Sequence, residues 1–406
     1  MTRAFTRDEL IEIRRDLHRN PELSHREART ARKIASALEE LGLEPETGIA
    51  GHGIVALIEG KAGDGPTLLY RADIDALPIE EVEGREYTSE NQGVMHACGH
   101  DVHTTVGLGV AAMLMERREE LKGNVLMLFQ PAEEAAPREN ENIGAERMVE
   151  EGVLEDYQVD AAFALHVMPF LDVGKIGLPG GPVWAASDHL SIKVKGSMTH
   201  GAYPQNGNDP IVALSQIISS LQTVTSRNVD ARDAAVVSIC RLQGGSAYNI
   251  IPDQVECEGM IRTLDADVRS HVHDRVQQIC SGVASALGCE AEVGIRRGSY
   301  LTANALSLES FMGEAINRSA SSTEAVPFQP QMGAEDFCAF SRRVPSAYLF
   351  LGVRNEERGI VHALHTPEFD VDEDCIEPGV QAMCDALIEA AQSWNDIEPG
   401  LEVPDV

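Results

Sequence analysis

Residues 95–134 read MHACGHDVHTTVGLGVAAMLMERREELKGNVLMLFQPAEE. A cluster of Cys, His and Asp opens the stretch. An apolar run predicted as a helix over 103–117 follows, then a predicted strand over 124–129, then two adjacent carboxylates. The strand has no alternating polar face, so it is expected to be buried on both sides, as in a parallel sheet. Outward from it the same alternation continues. Residues 7–42 read as two helices, the first capped by Thr6 and the pair broken at Asn20-Pro21. Strands are predicted over 54–58, 67–70 and 161–165, and a helix near 145–151. This pattern predicts an α/β domain with a central, mostly parallel sheet.

After about residue 186 the pattern changes. A half-buried strand over 190–195 precedes a helix over 209–225, strands over 234–242 and 254–263, a helix over 267–287 and a strand over 290–295. Strand–helix–strand–strand–helix–strand is the ferredoxin-like order. Residues 187–297 are therefore read as an inserted α+β ferredoxin-like domain. Residues 1–186 and 298–406 form the outer domain, and the acidic tail after Trp394 is expected to fray.

Asp and Glu number 65 against 33 Lys and Arg, a formal net charge of −32. Such a surface repels phosphate backbones and anionic lipid, so neither nucleic acid nor a membrane is an expected partner. No apolar run is long enough to cross a bilayer, and MTRAFTRDEL at 1–10 lacks the apolar core of a secretory signal. The eight cysteines include no C-x-x-C pair, so a reducing cytoplasm is the expected location. Only six of the basic residues are Lys. An acidic, Lys-poor surface suits high salt, where screening relieves self-repulsion; a genome favouring Arg codons explains the same skew.

Four segments carry candidate chemistry. In HACGHDVH at 96–103, a thiolate at Cys98 and an imidazole at His100 can reach one ion from a bend before a helix. Glu133 and Glu134 follow a buried strand, where one carboxylate can bind metal and the other move a proton. His166 ends a predicted strand, and His365 lies in LHTPEF at 364–369. Each has a plainer reading alone: a satisfied polar loop, a solvated Glu pair, a structural histidine. Together they point to one site, because open α/β sheets assemble their sites at strand ends.

Further segments extend the pattern: DLHRNPELSHRE at 16–27, YRADIDALPIEE at 70–81, THGAYPQNGNDPI at 199–211, LQGGSAYNIIPDQV at 242–255, GMIRTLD at 259–265 and MGAEDFCAF at 332–340. In this order they resemble the dinuclear metallopeptidase and amidohydrolase family of aminoacylases and glutamate carboxypeptidases. The likeness is greatest to its amidohydrolase branch of hippurate hydrolases, N-acyl-amino-acid amidohydrolases and auxin-conjugate hydrolases. The resemblance implies two divalent metal ions bridged by Cys98, with His100, Glu134, His166 and His365 as terminal ligands and Glu133 as general acid/base. It places Asp73 and Asp75 beside the ligands. It makes 187–297 a lid, with His200, Asn249 and Arg262 binding substrate. A homodimer through that lid is one expectation; the oligomeric state stays open. Zinc, manganese, nickel and cobalt all suit the donor set. The implied reaction is hydrolysis of the amide of an N-acyl-amino acid. A dipeptidase or carboxypeptidase of the same fold is the alternative, and a non-catalytic binding protein that kept the fold is another. Two departures bear on specificity. The polar stretch AAPRENENI at 135–143 is longer than is usual for the branch, and Gln205 stands where many relatives have a second histidine.

Overall fold

Thr6 starts the first helix. Its hydroxyl accepts from Glu9 N while the Glu9 carboxylate accepts from Thr6 N, and the helix runs Arg7–Arg19. A second helix, Ala28–Glu40, buries Ile34 and Leu38 completely. The structure, a computed structural model, describes residues 3–135, 144–397 and 399–400. The polar stretch expected to matter for specificity lies, beyond Ala135, outside these residues.

The described chain divides into two compact units. The first draws on Met1–Gly181, Ala303–Gln329 and Ala339–Val403, and is built on an eight-stranded sheet. In spatial order the strands are Glu46–Ile49, Gly53–Glu59, Asn124–Gln130, Thr67–Asp73, Ala161–Asp172, Ser346–Arg354, Lys175–Leu178 and Glu324–Pro327. The central pairings among 124–130, 67–73, 161–172 and 346–354 are all parallel, as the apolar strands required. Helix His100–Glu116 is buried almost all round, with Val102, Val110, Ala111 and Leu114 fully enclosed. Helix Ile376–Gln392 joins the same core through Val380, Met383 and Leu387. Each such aliphatic side chain contributes about 1.5–3 kcal/mol by leaving water.

One expected boundary changes the site. His166 does not end its strand, which runs on to Asp172. The neighbour at 67–73 pairs only from Ala161 to Ala164, but Ser346–Arg354 on the other side keeps pairing through His166 to Asp172. His166 is thus held inside a strand while remaining beyond the paired part of one neighbour. At the C-terminus, Trp394–Ile397 is helical with Ile397 buried, so order passes the expected start of fraying.

The second unit comprises Pro182–Thr302 with Pro330–Cys338. It reaches past 187–297 because Ala185 N donates to Gln331 O and Gly333 O, which ties the later segment to it. Its four strands lie in the order Glu290–Arg297, Ala186–Lys195, Gln254–Thr263, Ala235–Gly244, all antiparallel. With helices Pro210–Thr223 and Ala266–Ala286 this is the expected ferredoxin-like arrangement. Leu190, Ile192 and Val194 alternate into a core with Leu214, Ile217, Val272 and Val276. Among the described residues, no helix is long and apolar enough to cross a membrane.

Candidate metal centre

Three parallel strands set the site. Asp73 ends the first, the Glu133–Glu134 pair follows Gln130 at the end of the second, and His166 lies in the third beyond its pairing with the first. Helix His100–Glu116 begins at the same edge. Gly99 precedes it with φ 82°, and a Cβ there would lie 2.4 Å from Val167 Cγ2. Glycine alone lets the helix start pack against the His166 strand.

Cys98 Sγ lies 3.6 Å from His166 Nε2. His166 Nδ1 donates to Val167 O at 2.7 Å, which leaves the lone pair on Nε2. His100 Nδ1 is 3.2 Å from Asp75 Oδ1. Its buried Nε2 has no hydrogen-bond partner, and lies 3.7 Å from Asp73 Oδ2 and 4.0 Å from Glu133 Oε2. Glu134 N donates to Asp75 Oδ2 at 3.0 Å, and Glu134 Oε1 sits 3.1 Å from His365 Nε2 without hydrogen-bond geometry. His365 is held at φ 61° and donates its N–H to Ala97 O at 2.9 Å.

The five expected ligands therefore come together, in two groups. Cys98, His100 and His166 form one; Cys98, Glu134 and His365 form the other, each with its donor atoms within 4.8 Å of one another. Cys98 belongs to both. Buried polar atoms ordinarily find partners. An unpartnered imidazole nitrogen, a shared buried thiol and a close but unbonded carboxylate–imidazole pair fit two divalent cations sharing a sulfur ligand. Burial pushes the Cys98 thiol up, and Glu134, Glu133 and Asp73 push it further. Burial pulls His100 down, but Asp73, Asp75 and Glu134 outweigh it and hold the ring near about 10. Cations entering such a set displace protons.

Some supporting residues carried no role in the sequence reading. His103 Nδ1 is 2.5 Å from Asp73 Oδ1 while its Nε2 accepts from Val167 N at 2.8 Å, so it orients Asp73 rather than offering a lone pair. Arg71 Nη1 pairs with Asp73 Oδ2 at 2.5 Å and its Nε donates to Gln130 Oε1, joining two strand ends. The available signal was a third histidine one turn from His100. In the second unit, Thr199–His200 pairs with Ile250–Ile251, and Gly201 N donates to Asn249 O at 2.8 Å, so His200 and Asn249 are neighbours. Arg262 lies apart, in the four-stranded sheet opposite Ser187 and Val236. Its buried Nη1 has no hydrogen-bond partner, and burial lowers its pKa.

Comparison with known proteins places the chain. Residues 69–389 match the model of Peptidase family M20/M25/M40, and the chain belongs to that family. It is 38% identical over 368 residues to the N-acetyl-L-cysteine deacetylase of Bacillus subtilis, covering 91% of this chain and 85% of that protein. It is 37% identical to thermostable carboxypeptidase 2 of Saccharolobus solfataricus, over 92% of this chain and 93% of that one. Its fold matches the crystal structure of the Bacillus subtilis YXEP protein, described as a dinuclear metal-binding peptidase of family M20. The TM-score is 0.83 at 36% identity, with 95% of this chain and 98% of that chain covered. The family expected from the sequence motifs is thereby established.

Proposed function

We propose that the protein is a dinuclear-metal amidohydrolase that cleaves the linear amide of an N-acyl-amino acid. The observation that carries this reading is the pair of ligand triads sharing Cys98, with Glu133 Oε2 4.0 Å from His100 Nε2. When bound, the two ions supply Lewis acidity that polarises the amide carbonyl and acidifies the attacking water. Cys98, His100, Glu134, His166 and His365 hold them. Glu133 takes a proton from the attacking water and delivers it to the leaving amine nitrogen. Residues 187–297 act as a lid whose His200 and Asn249 contact the reacting amide. The guanidinium of Arg262, whose buried Nη1 has no hydrogen-bond partner, takes the carboxylate of the amino acid in paired hydrogen bonds. A homodimer through this lid, a cytoplasmic location and adaptation of the acidic surface to salt belong to the same reading.

A second reading is supported by the likeness to a carboxypeptidase. Both substrates release an amino acid bearing a free carboxylate, so the same residues serve either. Metal analysis of the purified protein combined with a panel of N-acyl-amino acids and N-blocked dipeptides tests the choice and identifies zinc, manganese, nickel or cobalt. Turnover of the blocked dipeptides alone excludes the deacylase. Less than one ion per chain with full turnover excludes the paired-metal site.

A further inference from the structure

Glu27 is fully buried and belongs to none of the ligand groups. It occupies the N-cap position of helix Ala28–Glu40, yet its side chain does not cap. That task falls to Glu22, whose carboxylate accepts from Arg29 N and Thr30 N. Glu27 is thereby freed to turn elsewhere. Its Oε1 accepts two backbone N–H groups, from His25 at 3.0 Å and from Ala132 at 2.9 Å. Both donors are non-glycine residues in the left-handed region, His25 at φ 66° and Ala132 at φ 55°. Such conformations cost free energy and persist only where surrounding contacts enforce them. One carboxylate oxygen therefore supports two strained residues, and Ala132 directly precedes Glu133.

The other side of Glu133 is held as well. Glu134 N donates to Asp75 Oδ2, and the same oxygen accepts from Ser24 Oγ at 2.6 Å. Ser24 and Glu27 belong to one short segment of chain, so residues 24–27 reach both flanks of Glu133, directly through Glu27 and through Asp75 from Ser24. We infer that Glu27 is a positioning residue for the general acid/base: by gripping Ala132 N–H it sets the direction in which Glu133 leaves the strand end. The inference rests on the reading of Glu133 as the acid/base. Burial first, then Asp75, pushes the Glu27 carboxyl up to about 7, so a glutamine is close to its neutral form in shape and can still accept both N–H groups.

The test uses the metal-loaded full chain with Glu27→Gln, Glu27→Ala and Glu133→Gln, on the N-acyl-amino acid turned over fastest. Glu27→Ala should lower kcat at least about 10-fold with KM within about 3-fold and both ions retained, because Asp75 still holds Glu134. Glu27→Gln should stay within about 3-fold of the parent in kcat. Amide exchange in the peptide containing Ala132 should quicken in Glu27→Ala and stay slow in Glu27→Gln. A Glu27→Ala protein with parental kcat and slow Ala132 exchange overturns the inference. So does a Glu27→Gln protein as impaired as Glu27→Ala. If Glu27→Ala does not fold, Glu27→Gln decides: parental kcat with slow exchange upholds the clamp, and a 10-fold loss removes it. If Glu133→Gln keeps parental turnover, it is the acid/base reading that fails, whatever the Glu27 variants do.

Discussion

Two clusters of charge, one in each unit, are built in opposite ways. In the second unit Asp188 accepts from Arg269 Nε at 3.1 Å, from Arg269 Nη2 at 2.5 Å and from His273 Nε2 at 2.6 Å. Every strong demand of that carboxylate is met by the fold. In the first unit, His100 Nε2 has no hydrogen-bond partner, and Glu134 Oε1 meets His365 Nε2 at 3.1 Å without hydrogen-bond geometry. A satisfied cluster locks a helix to a sheet; an unsatisfied one, with soft and hard donors converging, is arranged for something outside the chain. The difference separates a structural charge network from a site, although both contain histidine and aspartate.

The largest effect should come from the atom common to both triads. Cys98→Ala is expected to lose both ions and to lower turnover by at least about 10²-fold, while Cys98→Asp recovers part of each, since a carboxylate also bridges. Elemental analysis of the purified variants checks this, and equal metal in Cys98→Ala and the parent removes Cys98 from the centre. Next in size, Glu133→Gln should keep its metal and lose about 10²–10⁴-fold in kcat, the range for a removed acid/base. Metal lost in proportion to activity would instead make Glu133 a ligand.

The satisfied cluster should respond in stability and not in metal content. Asp188→Asn leaves the Arg269 guanidinium buried with a weaker partner and should cost about 3–5 kcal/mol in denaturant unfolding. Burial raises the Asp188 carboxyl, but His273 and Arg269 outweigh it and hold it near about 2. A depressed folded pKa contributes stability that is complete above about 3.9 and disappears as pH falls through about 2. The gap between parent and Asp188→Asn should therefore be constant above about pH 4 and narrow towards pH 2. A gap independent of pH over that window would show that packing, not charge, carries the cluster.

Salt should act least on either cluster, because buried pairs are weakly screened. It acts on the surface, where the net charge of −32 repels itself. The melting temperature of parent and Asp188→Asn should rise by the same increment between about 0.1 and about 2 M KCl, and by less with metal in excess. A flat melting temperature across the series excludes salt adaptation.

Much of the site was legible in local sequence. Cys98 and His100 lie two residues apart at the start of a helix, and Glu133 and Glu134 follow an apolar strand, so spacing alone placed four donors at element ends. The ferredoxin-like order was equally legible, since alternation in residues such as Leu190, Ile192 and Val194 reads directly as a half-buried strand. His166 was found but misplaced at a strand end, because the partner that extends its strand, Ser346–Arg354, joins from far along the chain. Six of the eight cysteines are buried, while Cys240 is exposed and Cys289 half-buried.

What the sequence determined by itself was the alternation that makes the two folds and the donor types that make a metal centre. Only the tertiary structure decided which carboxylates serve the site and which serve the fold. Glu27 meets Ala132 across 105 residues and Asp188 meets Arg269 across 81. Hydrogen bonds between buried groups depend on distances of a few tenths of an ångström, and those are set when sheets and helices pack, not by any local period in the chain.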